Sequence, residues 1–189
     1  MERRSFTSLS AVALVLAISG CTTTTGSKTD PASKRREIDA GVDSSLNKLY
    51  ASARGSNELA AKAQGILVFP NVIAAGLVVG AEYGEGALRV AGQTVGYYST
   101  TTGSFGLQIG AQSKAVIVMF MTKTSLDKFR NSKGWTAGVD GSVALVKVGT
   151  NGNVDTSTAT GEIIGFVVTN AGLMANATLE GTKVSKLDL

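Results

Sequence analysis

Apolar residues recur along residues 31–53 with the spacing of one face of a helix. They stand at Ile38, Val42, Leu46, Leu49 and Ala53, three or four positions apart. This is the repeat of an amphipathic α-helix whose apolar stripe packs against the rest of the domain. The pattern therefore predicts a long first helix with one buried face.

Capping residues flank that stripe. Asp30 and Pro31 supply an N-cap followed by proline at the first helical position. Gly55 is typical of the residue that ends a helix, and Ser56 can cap a second one. We expect two N-terminal helices, the second a short one reaching about Gln64.

The pattern changes at Gly65, where apolar runs become short and rich in Val, Ile, Phe and Tyr. Such runs, separated by glycine-rich segments, are typical of β-strands. Residues 115–121 contain no polar residue, which predicts a strand buried on both faces. One short helix, over residues 125–131, interrupts the strands.

Three glycine-containing segments are candidate hairpin turns. They are Gly84-Glu85-Gly86, Thr101-Thr102-Gly103 and Asn151-Gly152. Beside the first of them, Glu82 and Glu85 are expected to face solvent. The whole pattern predicts an α+β fold of mainly antiparallel β-structure, a β-rich sandwich or partly closed barrel with two N-terminal helices and one short internal helix.

A Gly-Leu motif recurs at residues 76–81, 106–111 and 172–177, and the first two copies carry a second glycine four positions on. Positions i and i+4 of a strand lie on one face. Glycine weakens a strand unless another group must come close. We therefore expect a close approach of a backbone, a bend or a ligand at these strands.

The first 21 residues have the pattern of an export signal. Arg3 and Arg4 precede an apolar run over residues 9–18, which as a helix rises about 15 Å, half of what a bilayer core requires. This combination is typical of a secretory signal. The run ends in Ile18-Ser19-Gly20-Cys21, which resembles a bacterial lipobox. We therefore expect cleavage before Cys21, which becomes the first residue and is acylated with palmitate or a similar chain.

These features divide the chain into three parts: a lipoprotein signal peptide (1–20, removed), a lipidated tether (21–29) and a single domain (30–189). Two or more acyl chains anchor a protein stably. Similarity to other lipoproteins also predicts the location, because Thr22 stands where an Asp would signal inner-membrane retention. We expect anchoring in the outer membrane, facing the periplasm, with surface exposure left open.

Composition excludes several classes of chemistry. The chain has no histidine and one cysteine, so it lacks an imidazole base, a disulfide and a Cys-rich zinc site. We expect no enzyme activity, no catalytic residue, no metal and no cofactor. The net charge of +4 and the exported location make nucleic acid a poor partner.

A basic cluster follows residue 122. It contains Lys123, Lys128, Arg130 and Lys133, with Trp135 close behind. Basic side chains around an exposed aromatic ring suit an anionic head group, because Arg forks onto phosphate and Trp prefers the membrane interface. The alternative is the polar face of a short helix with Trp135 in the core.

A second basic cluster, Lys34, Arg35 and Arg36, lies just after the tether. Juxtamembrane cations gain about 1 kcal/mol each from an anionic surface. The alternative is a solvated helix face. Arg35 and Arg36 are accordingly predicted head-group residues.

Five ordered segments resemble the SYLF family of lipid-binding modules, which is related to actin-binding yeast proteins. They are residues 61–70 (AKAQGILVFP), 83–89 (YGEGALR), 106–112 (GLQIGAQ), 125–129 (SLDKF) and 172–181 (GLMANATLEG). The resemblance covers about residues 40–187. It implies a non-catalytic module that binds membrane lipid, and it does not specify which lipid. Together with the basic clusters, we expect binding of anionic phospholipid head groups or membrane surfaces.

The resemblance leaves a second function open. Some eukaryotic members of the family bind actin, so the same surface could instead contact an envelope protein, a second copy or host actin. No protein partner is identified by the sequence. Convergence of the basic residues around one cleft favours a ligand, and dispersal favours a simple solvated surface.

Overall fold

The structure is a computed structural model that describes residues 30–76, 79–105, 113–148, 151–155, 159–174 and 177–189. Cys21 with the rest of residues 1–29, and the glycine segment at 106–112, lie outside the described residues. Within the described part, no helix combines the length and the apolar content that crossing a bilayer requires.

The first helix follows its sequence pattern closely. α1 spans Pro31–Ser52, and the Asp30 carboxylate accepts a hydrogen bond of 3.1 Å from the Ser33 N–H. Ile38, Val42 and Leu49 are buried on the predicted face. The predicted N-cap and apolar stripe are confirmed.

The junction between the helices differs from the expectation. α1 ends before Gly55, which lies at φ +90° and is itself the N-cap of α2 (Ser56–Lys62). Ser56 is the first helical residue, and its hydroxyl donates to the Ala53 carbonyl at 2.6 Å. Gly55 therefore starts the second helix rather than ending the first, because the left-handed turn between them requires a residue without a side chain.

In the described part of the chain, nine strands form one curled sheet, with a third helix between them. Their bounds are β1 (Gly65–Gly76), β2 (Val79–Val90), β3 (Gln93–Phe105), β4 (Ser113–Phe120), α3 (Lys123–Asn131), β5 (Trp135–Thr136), β6 (Ala144–Leu145), β7 (Ile163–Thr169), β8 (Gly172–Leu173) and β9 (Lys183–Leu187). The strand order is β5-β9-β3-β2-β1-β4-β7-β6, with β8 on β7. Every pairing is antiparallel except β6 with β7.

The sheet is a half-barrel, and the predicted α+β class with a partly closed barrel is confirmed. Its two ends come close together. A Cβ placed on Gly141 would lie 2.9 Å from Ile163 of β7 and 3.2 Å from Trp135 of β5. The curl thus brings strands from opposite ends of the sheet to within one side chain of each other.

Each face of the sheet carries its own core. The inner face is filled by side chains from the strands and from α3, among them Phe129, whose ring centroid is 4.9 Å from that of Phe120. The outer face is covered by α1 and α2, with Val42 and Leu49 in the same cluster as Val68 and Ile117. β4 lies between the two cores and is buried from Ala115 to Phe120, as its sequence predicts.

Two of the predicted hairpin turns are wrong. Gly84-Glu85-Gly86 lies inside β2, and Thr101-Thr102-Gly103 lies inside β3. The third, Asn151-Gly152, does turn the chain, with Gly152 at φ +78° between the bridged residues Val148 and Val154. A glycine in the sequence indicates that a side chain is unfavourable at that position. Whether the reason is a turn or a close neighbouring strand depends on the strand pairing.

The glycines of β2 lie opposite a bulge in β1. Val68 pairs with Ala87 and Asn71 with Glu85, so Phe69 and Pro70 together oppose Gly86. A Cβ on Gly86 would lie 2.0 Å from the Val68 carbonyl oxygen. Bulges bend and twist a sheet, and proline is tolerated there because no ladder hydrogen bond is required. A backbone thus comes close at Gly86, which is not one of the Gly-Leu motif glycines at which we expect such an approach.

The expected exposure of Glu82 is wrong. Glu82 is buried on the inner face and pairs with Lys114 of β4 at 2.8 Å. Close by, Thr102 donates a hydrogen bond of 2.9 Å to Thr182. The inner face therefore ends in a polar layer held by partners from distant parts of the chain.

Candidate functional site

Helix α3 presents its basic residues to solvent and its apolar residues to the inner core. Thr122 caps the helix by accepting from the Ser125 N–H at 3.2 Å. Leu126 and Phe129 are buried, whereas all four predicted basic residues at positions 123, 128, 130 and 133 are exposed. Cations in the last helical turn also complement the helix dipole, which is a structural reason for Lys128 and Arg130.

Trp135 does not stand among these cations. The side chain is 3% exposed and packs edge-on against Phe129, with ring centroids 5.8 Å apart. A buried indole cannot lie at a lipid interface, so the expectation of an exposed aromatic ring is corrected. The sequence alternative, Trp135 in the core, is what the structure shows.

The four basic residues around α3 do not converge on one cleft. Lys123 forms an ion pair of 2.7 Å with Asp127 on the same helix. Lys128 lines a cleft of about 230 Å³ that also contains Asp140 and Glu162. With two acidic residues against one lysine, this cleft does not favour an anion.

Arg130 lies near a different part of the molecule. Burial raises the pKa of the Tyr98 hydroxyl, and the positive charge of Arg130 acts in the opposite direction, so Arg130 is within electrostatic range of that hydroxyl. Tyr98 pairs with Lys186 across β3 and β9. Tyr98 therefore has Lys186 as its cross-strand neighbour and Arg130 within electrostatic range.

Arg35 reaches the same region from α1. It lines an open groove of about 560 Å³ together with Tyr97, Lys186 and Asp188. The α1 cluster and the α3 cluster are far apart in sequence, and the structure brings one member of each to β9. Arg36 is exposed and donates to the Ser33 hydroxyl at 3.2 Å.

Lys133 and Lys183 extend this surface. A Cβ on Gly134, next to Lys133, would lie 4.0 Å from the Cε of Lys183. We use the name cationic edge for five exposed basic residues on or near β9, which lie on both faces of the sheet around this strand: Arg35, Arg130, Lys133, Lys183 and Lys186. Sequence reasoning missed the two lysines of β9, although the alternation of Lys183 with the apolar Val184 is a strand pattern that places Lys183 on the face opposite Val184.

The members of the cationic edge differ in their partners from the basic residues that form ion pairs. Lys34 pairs with Glu85 at 2.6 Å, and Arg89 pairs with Asp43 at 2.7 Å. Within the described ranges, no member of the cationic edge forms an ion pair, and Asp188 is the acidic residue that shares its groove.

A second concave surface lies between α1 and the strands beneath it. Its volume is about 500 Å³, and Lys34, Ile38, Pro70, Ile73 and Tyr83 are among its lining residues. The Tyr83 hydroxyl donates to Glu85 at 3.0 Å. Partial burial, and then this hydrogen bond, raise the pKa of Tyr83, while the bond to Glu85 raises the pKa of Lys34.

Among the residues that the structure describes, no three His, Cys, Asp or Glu side chains gather closely enough to hold a metal ion. Two carboxylates of β2 that could be imagined as an acid and a base already have partners. The Glu82 carboxylate is engaged by Lys114, and Glu85 by Lys34 and Tyr83.

A comparison with protein families finds one family that part of the chain resembles. The family described as Ysc84, Las17-binding protein actin regulator, matches residues 101–188. Residues 101–188 are thus similar to the SYLF-type Ysc84 domain. The match confirms the family resemblance inferred from the sequence, and no curated protein matches the chain.

The Ysc84 match covers just under half of the chain and includes β4, α3, β7 and β9. It therefore holds every member of the cationic edge except Arg35. Ysc84 and SYLF proteins form a family of binding modules. The match therefore relates residues 101–188 to a family of binding modules, and it does not identify the ligand of this chain.

Proposed function

We propose that this Ysc84 chain is a lipid-anchored, non-catalytic module of the cell envelope that binds anionic phospholipid head groups. In this proposal residues 1–20 are removed, Cys21 carries the acyl chains in the outer membrane, and residues 21–29 tether a periplasmic domain formed by residues 30–189. The observation that carries the head-group assignment is the cationic edge, whose five basic side chains lie at the surface and form no ion pair within the described residues.

The charge of this edge is large enough to matter at a membrane. Five basic residues against Asp188 leave four net positive charges. At about 1 kcal/mol for each charge near an anionic surface, the gain reaches roughly 4 kcal/mol. This corresponds to roughly a thousandfold in partitioning at low salt. The attraction should fade at high salt, because exposed charges are screened.

Vesicle flotation tests the head-group assignment. The chain without residues 1–20 should float with anionic vesicles at low salt, float less at high salt, and stay behind with zwitterionic vesicles. Arg130→Glu with Lys186→Glu should abolish the anionic preference. The matched control, Arg54→Glu with Lys62→Glu, makes the same change in charge at exposed positions around α2 and should float like the parent.

Two outcomes count against this assignment. Equal flotation of the Arg130/Lys186 variant and the control would remove the cationic edge as the site. Failure of the parent on every composition would remove lipid binding altogether. Melting temperatures should stay nearly equal across the set, since exposed charges contribute little to stability.

Metabolic labelling with an alkyne fatty acid tests the anchor separately. The parent should take up label and shorten by the length of the signal peptide. Cys21→Ser should do neither, because the acyl acceptor is lost. Label that persists on Cys21→Ser would contradict acylation at this residue.

Protein binding is the second candidate, and the family description favours it. That description names a Las17-binding actin regulator. The alternative for this chain is an interaction module of the envelope whose partner is a protein, a second copy or host actin. Co-sedimentation of the chain with actin filaments, at the salt concentrations used for flotation, separates the two candidates. Pelleting that requires actin, without flotation, would favour protein binding.

A further inference from the structure

Two large apolar side chains are exposed side by side on the outer face of the sheet. Ile73 of β1 and Tyr83 of β2 are direct cross-strand partners and are 45% and 49% exposed. Further along the same strands the outer face is closed by α1, and Val68 and Ala87 are fully buried. We call Ile73 and Tyr83 the apolar pair. It stands where the outer face emerges from beneath the helix.

The pair lies beside the start of α1. Lys34, one helical turn after Asp30, contacts Glu85 at 2.6 Å. Glu85 is two residues from Tyr83, so both project from the same face of β2. The Tyr83 hydroxyl is held by the same carboxylate, which fixes the ring beside the helix. The chain that precedes Asp30 therefore enters the domain next to the apolar pair.

The length of the chain before Asp30 keeps the apolar pair close to a membrane that holds Cys21. Residues 21–29 lie between the proposed lipid-bearing Cys21 and Asp30, and fully extended they reach about 30 Å. The domain cannot move further than this from the membrane that holds Cys21. A connection this short raises the effective concentration of the membrane surface at the domain to about millimolar, so a weak contact is sufficient.

The chemistry of the pair suits the interface of a bilayer. Tyr has an apolar ring with a polar tip and is enriched at membrane interfaces, and Ile adds apolar area beside it. We propose that the apolar pair inserts into the lipid surface to which Cys21 is anchored. This inference rests on the proposed lipid attachment, and it is independent of head-group binding by the cationic edge.

The single cysteine makes a direct test available. The chain beginning at Cys21, which retains every described residue, is coupled through that thiol to maleimide lipid in zwitterionic vesicles. Tyr83→Trp serves as the reporter, and Ile73→Trp is a second reporter at the partner position. The native Trp135 is buried and supplies the same background signal in every sample. Thermal melts establish that each variant is folded.

Val95→Trp is the matched control. Val95 is 47% exposed and is separated from Tyr83 by at least five residues of strand, roughly 17 Å. It lines the groove of Arg35 and Lys186, whose charges zwitterionic vesicles do not attract. After coupling, the Tyr83→Trp and Ile73→Trp variants should emit at shorter wavelengths and lose intensity when the vesicles contain brominated acyl chains. The Val95→Trp variant should do neither.

Three results would overturn the insertion. The first is that the brominated chains do not quench the indoles introduced at positions 83 and 73 on coupled protein. The second is that they quench these indoles no more than the indole at position 95. A concentration-dependent shift of the Tyr83→Trp variant without vesicles would assign the pair to contact with a second copy. Coupling by maleimide replaces both acylation and charge attraction, so failure here leaves the flotation and labelling results untouched. Label that persists on Cys21→Ser would instead remove the anchor on which this inference rests.

Discussion

Replacing Gly86 by alanine should destabilise the domain strongly, because no space exists for a methyl group. The new Cβ would lie 2.0 Å from the Val68 carbonyl oxygen and 2.7 Å from the Phe69 ring. Cβ atoms do not approach other heavy atoms within 3.0 Å. The β1 backbone would have to move by about 1 Å at the bulge, where β1 is also paired with β4.

The expected cost follows from this clash. Overpacking costs typically 1–3 kcal/mol, and a clash with ladder backbone belongs at the upper end, about 3 kcal/mol or more. For a domain of this size, 1 kcal/mol corresponds to roughly 2–4 °C in melting temperature. Gly86→Ala should therefore melt at least about 6 °C below the parent.

Gly103→Ala is the matched control within the same sheet. Gly103 lies inside β3, its φ is not positive, and nothing lies within 4 Å of its added Cβ. Alanine there should be neutral or stabilising by about 0.5–1 kcal/mol, because glycine loses more backbone entropy on folding. Thermal melts followed by near-ultraviolet circular dichroism measure both. If Gly86→Ala melts as high as Gly103→Ala, the bulge argument is refuted.

Two further predictions concern buried groups. Val118→Asp places an unpaired carboxylate at a position that is 4% exposed and should lower the free energy of unfolding by several kcal/mol. The control Val139→Asp, at a position that is 80% exposed, should stay within about 0.5 kcal/mol of the parent. Equal urea midpoints for the two variants would contradict the burial of β4. Lys114→Met leaves Glu82 without its partner and should cost about 3 kcal/mol, more than the Lys114→Met, Glu82→Leu double variant, which buries no charge. A double variant that is less stable than the single one in urea unfolding would contradict the cost assigned to the unpaired Glu82 carboxylate.

Local patterns in the sequence were sufficient for the helices and for the central strand. The stripe that includes Ile38, Val42 and Leu49 repeats with the helix period, and Asp30 caps the helix within three residues of its partner. The uninterrupted apolar run of β4 likewise reports burial on both faces. Such features are set by neighbours along the chain, which is why the fold class could be predicted.

The tertiary structure alone decided the role of residues whose partners are distant in sequence. Gly86 could equally begin a turn, and only the bulge of β1 shows that it admits a backbone. Strand register joins Glu82 to Lys114, and the curl of the sheet buries Trp135.

The candidate site depends on tertiary structure in the same way. The sequence identified Arg35 and Arg130 in separate clusters, and nothing in its pattern indicated that Lys186 of β9 would share a groove with Arg35. Surface charges carry no periodic signal of their neighbours, because solvent accepts them wherever the fold places them. The sequence by itself therefore determined which side chains were basic and able to face solvent, and the closure of the sheet determined which of them lie around β9.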